Sequence, residues 1–558
     1  MNPSLLRITL AAGLALCAQI ALAVPAHYIV FEVDRTGRVD PVYYAQVELD
    51  GAAPGQRADA TGAQDLRDDD IIYRLQRHSV DLGAHRVRLP QLRGEFARDP
   101  GVDGTLVSTR IDAVEPRAFV LRIPLDEADT VSFGKGSTRQ AFDLDAIAAR
   151  VPDARGVTSA MPVLAPTAVT GPPSNRVDIL VIGEGYTSAQ QNLFNSNAAT
   201  FENQFFGVTP YLEYKSFVNW ATLFVASSQS GVDHPPYQAG CNSSNCCADS
   251  EAQTDPHAGQ FVNTAFDGKF CDWQIHRLLT VNDSKVLAAA AAYPDWDEIL
   301  VVANDTVYGG SGGSVSVTSM NQYASEIILH EYGHTFTGLA DEYDTAYPGF
   351  PACNDVSGGP PCEANVTNQT NPALVKWKAW LTPGNPIPTP GGTAGVGLFE
   401  GARYQSVGMY RPVDQCEMRY LGMNFCPACR QEYVVRLYAG GWGVPAGGID
   451  LIEPGSESPP AAQPVQYAPG TTQTFSIVAL RPSVGSLAFE WWLDGVRLSG
   501  PSTESHAFTQ SMPTPTTRTL QVRVRDTSAY VKPGPLPTRT RTWTIQVNAD
   551  LVFRNGFD

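Results

Sequence analysis

The residues best suited to chemistry in this 558-residue chain are two histidines four apart with a glutamate beside the first, His330-Glu331-Tyr332-Gly333-His334. On a helix, positions four apart share a face, so both imidazoles can reach one cation. Glu331 is turned by about a third of a turn from His330, which sets its carboxylate beside the cation rather than on it. Two neutral nitrogen ligands, a neighbouring base and room for a water are what a zinc hydrolase needs, and they predict one catalytic Zn²⁺. The run continues as Thr335-Phe336-Thr337-Gly338-Leu339-Ala340-Asp341-Glu342-Tyr343. Gly338 can take the left-handed conformation that ends a helix, after which the chain can fold back to the cation. Asp341 is the first choice for third ligand; Glu342 and a distant residue are the alternatives.

Several elements must hold this motif. Tyr323, Ile327, His330 and His334, with Ala324 and Ile328, recur at helical spacing. Upstream, 177–182 reads as a buried strand ending at Gly183-Glu184-Gly185-Tyr186, and Thr187 or Ser188 can cap a helix running through Phe201. Further strands are expected near 217–227 and at 299–303, and this alternation marks an α/β domain. The stretch Tyr308-Gly309-Gly310-Ser311-Gly312-Gly313-Ser314 lacks the G-K-[ST] ending of a phosphate loop. It is expected as an open edge segment whose main chain can pair with an extended peptide.

Met1 to Arg7 supply a short positive start, 8–21 is mostly apolar, and Ala21-Leu22-Ala23 offers small residues for cleavage. The run is too short for a membrane span, so export with removal of residues 1–23 is expected, to the periplasm or the extracellular space. Nine cysteines follow Cys17, and in an exported chain disulfides are the first expectation. A bridge between Cys353 and Cys362 would close a turn-rich loop. Cys426-Pro427-Ala428-Cys429 has redox or zinc-knuckle spacing, and a structural bridge there, drawing in Cys416, is expected. Lys and Arg number 39 against 57 Asp and Glu, a net charge of −18 that excludes nucleic acid and anionic membrane as partners.

Short β-rich runs fill 24–158, expected as an N-terminal β-sandwich domain without catalytic residues. A linker at 159–173 precedes the catalytic domain at 174–445. Alternating strands return at 449–548, where Asp494-Gly495 is a hairpin signal and an immunoglobulin-like β-sandwich is expected. One of Trp491 and Trp492 belongs to its core; the other is a candidate glycan or surface contact. Residues 549–558 form a tail.

His330-Glu331-x-Gly333-His334-x-Phe336-x-Gly338-Leu339-x-Asp341-Glu342-Tyr343 resembles the motif of the bacterial IgA-peptidase family of zinc metallopeptidases, which groups with metzincin-type enzymes. Ser230-Gly231-Val232-Asp233-His234-Pro235, the Gly-rich segment and Cys416-x-Met418-Arg419 followed by Phe425-Cys426-Pro427-x-Cys429 are also similar. The resemblance spans about 174–440 and implies a multidomain chain, with a metzincin-like α/β zinc peptidase domain between the two β-sandwiches. It implies that Met418 forms a hydrophobic floor beneath the metal and that Tyr420 steadies the oxyanion. It also implies a protein or peptide substrate. Thr337 stands where metzincins usually carry glycine, and Gly338 comes one later, which shifts the third ligand to Asp341.

The chemistry expected is peptide hydrolysis by a zinc-activated water with Glu331 as general base. A zinc amidase acting on cell-wall or other non-protein amides, and an idle surface-binding protein, are the alternatives. Glu331 weighs against the idle protein, which need not keep its base.

Overall fold

A computed structural model describes residues 23–34, 36–50, 70–88, 93–97, 106–110, 117–134, 139–151, 162–345, 352–440, 447–468, 470–500, 502–509, 516–532 and 536–547. The expected leader up to Leu22 and the tail at 549–558 lie outside the described residues. No described helix is long and apolar enough to cross a membrane.

At the centre is a six-stranded sheet built from β1 (Val163–Ala168), β2 (Val177–Glu184), β3 (Val218–Phe224), β4 (Glu298–Ala303), β5 (Gly310–Ser311) and β6 (Ser316–Ser319), in the order β1-β3-β2-β4-β6-β5. β3, β2, β4 and β6 run parallel, while β1 and β5 are antiparallel edges. Every residue of β2, β3 and β4 is buried, as expected of parallel strands covered on both faces. The crossover from β2 to β3 is helix α1 (Gln191–Phe205), preceded by a short 3₁₀ turn that Thr187 caps through a reciprocal box with Gln190.

Helix α2 (Ala324–Thr335) carries the two histidines and is buried over most of its length. On one side Tyr332 meets Phe205 of α1 with ring centroids 5.0 Å apart, and Phe336 lies against Tyr433 of α3 (Pro427–Ala439) at 5.3 Å. α2 ends at Gly338, whose φ is +66°. The Gly338 N–H donates to His334 O at 3.0 Å and the Leu339 N–H to Gly333 O at 3.1 Å, the paired bonds that close a helix with a left-handed glycine.

Sheets flank the centre on both sides. Val24–Val33 lies between Val39–Leu49 and Arg117–Pro124. Its alternation divides it: Ile29 and Phe31 join Tyr73, Leu75, Val131 and Phe133 of a four-stranded sheet, while Tyr28 and Val30 pack towards Leu180 and Ile182 of β2. The N-terminal sheet therefore shares a hydrophobic layer with the central one.

Near the C-terminus, a five-stranded sheet and the pair Gln473–Ser476 with Ser505–Phe508 enclose Phe475, Trp491, Phe508 and Trp543. Asp494 and Gly495, both at positive φ, form the two-residue hairpin turn that their sequence signals. Trp491 is fully buried and stacks on Trp543, while Trp492 carries the Arg523 guanidinium 4.1 Å from its ring centroid. Trp492 is half-buried, with that guanidinium over one face of its ring. Tyr214, at the end of the α1 region, and Tyr438 of α3 both donate to Asp526 of the C-terminal sheet, at 2.7 and 2.8 Å.

Candidate active site

α2 and the turn after it bring three donor atoms to one point. His330 Nε2 and His334 Nε2 stand 3.1 Å apart, and Asp341 Oδ1 is 3.2 Å from each. All three side chains are almost wholly buried. The opposite nitrogen of each ring faces a backbone carbonyl: His330 Nδ1 lies 2.8 Å from Glu417 O, and His334 Nδ1 2.6 Å from Leu339 O. A carbonyl only accepts, so each Nδ1 holds the proton and each Nε2 presents a lone pair. Two lone pairs and a carboxylate oxygen then converge, which is repulsive unless a cation lies among them. Ligands held at about 2.0–2.1 Å in tetrahedral array stand about 3.3 Å apart, close to the spacing observed. The residues fit a zinc ion.

The Asp341 segment is held from a distant hairpin. Phe399–Ala402 and Gln405–Arg411 are joined by Arg403 and Tyr404 alone, both at positive φ (+53° and +60°). This turn donates its N–H groups to Asp341 O at 3.0 Å and Tyr343 O at 2.9 Å. The Tyr404 hydroxyl donates to Asp341 Oδ2 at 2.5 Å, which leaves Oδ1 as the atom aimed at the histidines. Arg403 pairs with Glu363 at 2.8 Å.

Gly333, between the histidines, has its Cα against Met418: a Cβ there would lie 2.8 Å from Met418 Sδ. Met418 is fully buried, where the floor was expected. The chain around it also serves the site, since Glu417 O orients His330 and Met418 O accepts from Glu342 N at 2.8 Å. Glu331 is 1% exposed and lies against Gly312, where a Cβ would collide with Oε2. The Gly-rich segment thus meets the expected base. Part of its edge is already paired, because the Gly310 N–H donates to Arg277 O at 3.2 Å.

Tyr420 is half-buried under the Arg419 guanidinium, 4.7 Å from its ring centroid. The Tyr343 hydroxyl lies 3.3 Å from His330 Nε2, with its ring nearly parallel to the imidazole. Glu342 turns the other way: Asn365 donates to its Oε1 at 3.0 Å and the Cys429 sulfur lies 3.7 Å from the same atom. Burial and the neighbouring Cys416 push its carboxyl well above the ordinary range, against the Asn365 hydrogen bond.

His234 is also buried, between Asp255 at 2.8 Å and Asp305 at 3.0 Å. Burial alone would lower its pKa, but the two carboxylates outweigh that and push it up to about 9. The arrangement pins the loop preceding Pro235.

Residues 166–245 and 241–394 match the family model described as IgA Peptidase M64. Over this stretch the chain is similar to the IgA peptidase M64 family of metallopeptidases. It is a peptidase, a hydrolase acting on peptide bonds, with protein or peptide substrates. No curated protein matches the chain. The matched residues contain the six-stranded sheet apart from the start of its edge strand β1, together with α2, His330, His334 and Asp341, whereas the M64 match ends before Met418 and Cys416, Cys426 and Cys429.

Proposed function

We propose that the chain is an exported zinc-dependent endopeptidase with its site on α2. The convergence of His330 Nε2, His334 Nε2 and Asp341 Oδ1 beside Glu331 carries this reading. A zinc ion held by those three atoms would supply Lewis acidity to the attacking water and the scissile carbonyl. Glu331 takes the proton of the water and later returns it to the leaving amine. Its burial against Gly312 keeps competing solvent from the carboxylate and fixes its direction. The Tyr343 hydroxyl, 3.3 Å from His330 Nε2, steadies the developing oxyanion. Met418 keeps the metal side of α2 apolar. The family assignment favours this reading over an amidase or an idle binding protein.

Export rests on the leader-like first 23 residues and on three disulfides, Cys241–Cys246, Cys247–Cys271 and Cys353–Cys362. The strand Val24–Val33 starts directly after the expected cleavage point.

Glu331→Gln tests the mechanism. Casein cleavage is expected to fall by about 10²–10⁴-fold while zinc content stays at the wild-type level. Undiminished turnover in the variant would remove Glu331 as the base, and a simultaneous loss of zinc would recast it as a ligand.

A further inference from the structure

The cysteine segment expected to form a bridge does something else. Six of the described cysteines are paired in disulfides; Cys416, Cys426 and Cys429 are free thiols and all are buried. Their sulfurs converge with one oxygen of Glu342, the four donor atoms lying within 4.8 Å of one another. Cys416 Sγ and Cys429 Sγ are 3.8 Å apart, Cys426 Sγ and Cys429 Sγ 3.4 Å, and Cys429 Sγ and Glu342 Oε1 3.7 Å. Sulfur ligands at about 2.3 Å from a tetrahedral ion stand about 3.7 Å apart.

We propose that Cys416, Cys426, Cys429 and Glu342 form a second metal site, separate from the catalytic one, for a thiophilic divalent ion such as Zn²⁺. Three thiols cannot all be satisfied by disulfides, whereas one ion uses all three. Backbone N–H groups already point at the sulfurs: Cys426 N–H lies 3.3 Å from Cys416 Sγ, and Cys429 N–H 3.4 Å from Cys426 Sγ, which caps α3. Such donors, with the positive end of the helix, suit the negative charge of sulfurs bound to a metal. Glu342 is fully buried, and its Oε2 has no hydrogen-bond partner among the described residues. A carboxylate left so in the interior is costly unless a positive charge joins it. Binding releases the thiol protons and neutralises the cluster in part.

The second site sits one peptide bond from the first at two places. Asp341 faces the histidines and Glu342 the sulfurs; Cys416 precedes Glu417, whose carbonyl orients His330, and Met418, the floor. An ion on the sulfurs ties the 341–342 and 416–418 segments to α3. It is a staple for the catalytic geometry and not a participant in the reaction.

The full chain, purified without reductant from zinc-supplemented culture, tests this by elemental analysis beside its His330→Ala/His334→Ala variant. About two ions per chain are expected in the wild type and about one in the variant. Cobalt exchanged into the variant should give a thiolate-to-metal charge-transfer band, which a histidine–carboxylate site cannot produce. In the wild type, the three thiols should resist alkylation until a chelator strips the second ion. One ion in the wild type and none in the variant would overturn the proposal. So would a disulfide among the three cysteines in peptide maps of the unreduced wild type, a readout that does not depend on any variant folding. Loss of casein cleavage alone, with both ions present, would count against the catalytic reading and leave this one standing.

Discussion

The Tyr404 hydroxyl is a sensitive point at which to test the ligand geometry. It sits 63 residues from Asp341 in sequence and donates to the carboxylate oxygen that does not face the histidines. Tyr404→Phe keeps the ring, and with it the contact to Tyr343 at 5.8 Å, and removes only the donor. A hydrogen bond to a buried charged group contributes about 1.5–3 kcal/mol, and loss of such a partner behind a metal ligand weakens binding by about 10–100-fold. The two figures agree, since about 1.4 kcal/mol corresponds to each tenfold step. Zinc affinity measured by competition with a chromophoric chelator should therefore fall by that factor. Melting of the metal-free protein, run in parallel, separates a weaker site from a weaker fold. If affinity stays within about twofold of wild type, Asp341 is not a ligand held by Tyr404 and the assignment of Oδ1 to the metal fails.

Three further outcomes are expected. Tyr343→Phe should lower kcat by about 10²-fold with zinc affinity unchanged, because its hydroxyl serves the oxyanion and not the metal; an unchanged kcat would return that role to another residue. Gly312→Ala places a methyl where the Glu331 carboxylate lies, so cleavage should fall at least about tenfold with zinc retained; full activity would show that Glu331 does not need that position. His234 has a folded pKa of about 9 against 6.5 for the free group, so its stabilising contribution is complete below about pH 6.5 and is lost as pH rises through about 9. That amounts to roughly 3 kcal/mol at most, so alkaline denaturation should shift to higher pH relative to His234→Asn, which lacks the term; identical profiles would refute it.

The convergence of the candidate ligands was legible because their motif is local. His330, His334, Gly338 and Asp341 lie within twelve residues, and helical spacing plus one left-handed glycine is enough to bring them together. The α/β alternation was legible for the same reason, through short buried strands and a capped helix at Thr187. The support around the site was not. Arg403-Tyr404 makes a two-residue hairpin turn with both φ positive, a geometry that normally calls for Asn-Gly; Arg and Tyr give no such signal. Tyr343 stood inside the motif, yet its 3.3 Å approach to His330 Nε2 depends on the turn after Gly338 and is visible only in the fold. The cysteines were read against export, which favours bridges, and spacing alone cannot tell a buried trio of thiols from a bridge and a leftover.

Placing Arg and Tyr in left-handed conformation is unfavourable by about 1–2 kcal/mol per residue, and such strain persists only where the surroundings over-determine it. Here they do. The turn is fixed by two N–H bonds to the 341–343 segment, by the Arg403–Glu363 ion pair and by the Tyr404–Asp341 bond. The energy that holds the turn is thus the energy that aims the carboxylate, and neither can relax alone. A third ligand supplied from a helix would follow from the helix; Asp341 lies beyond α2 and has no regular element to fix it. The strained hairpin on one side and the Glu342–cysteine cluster on the other take the place of that element, which is why this site depends on residues more than sixty positions from its motif.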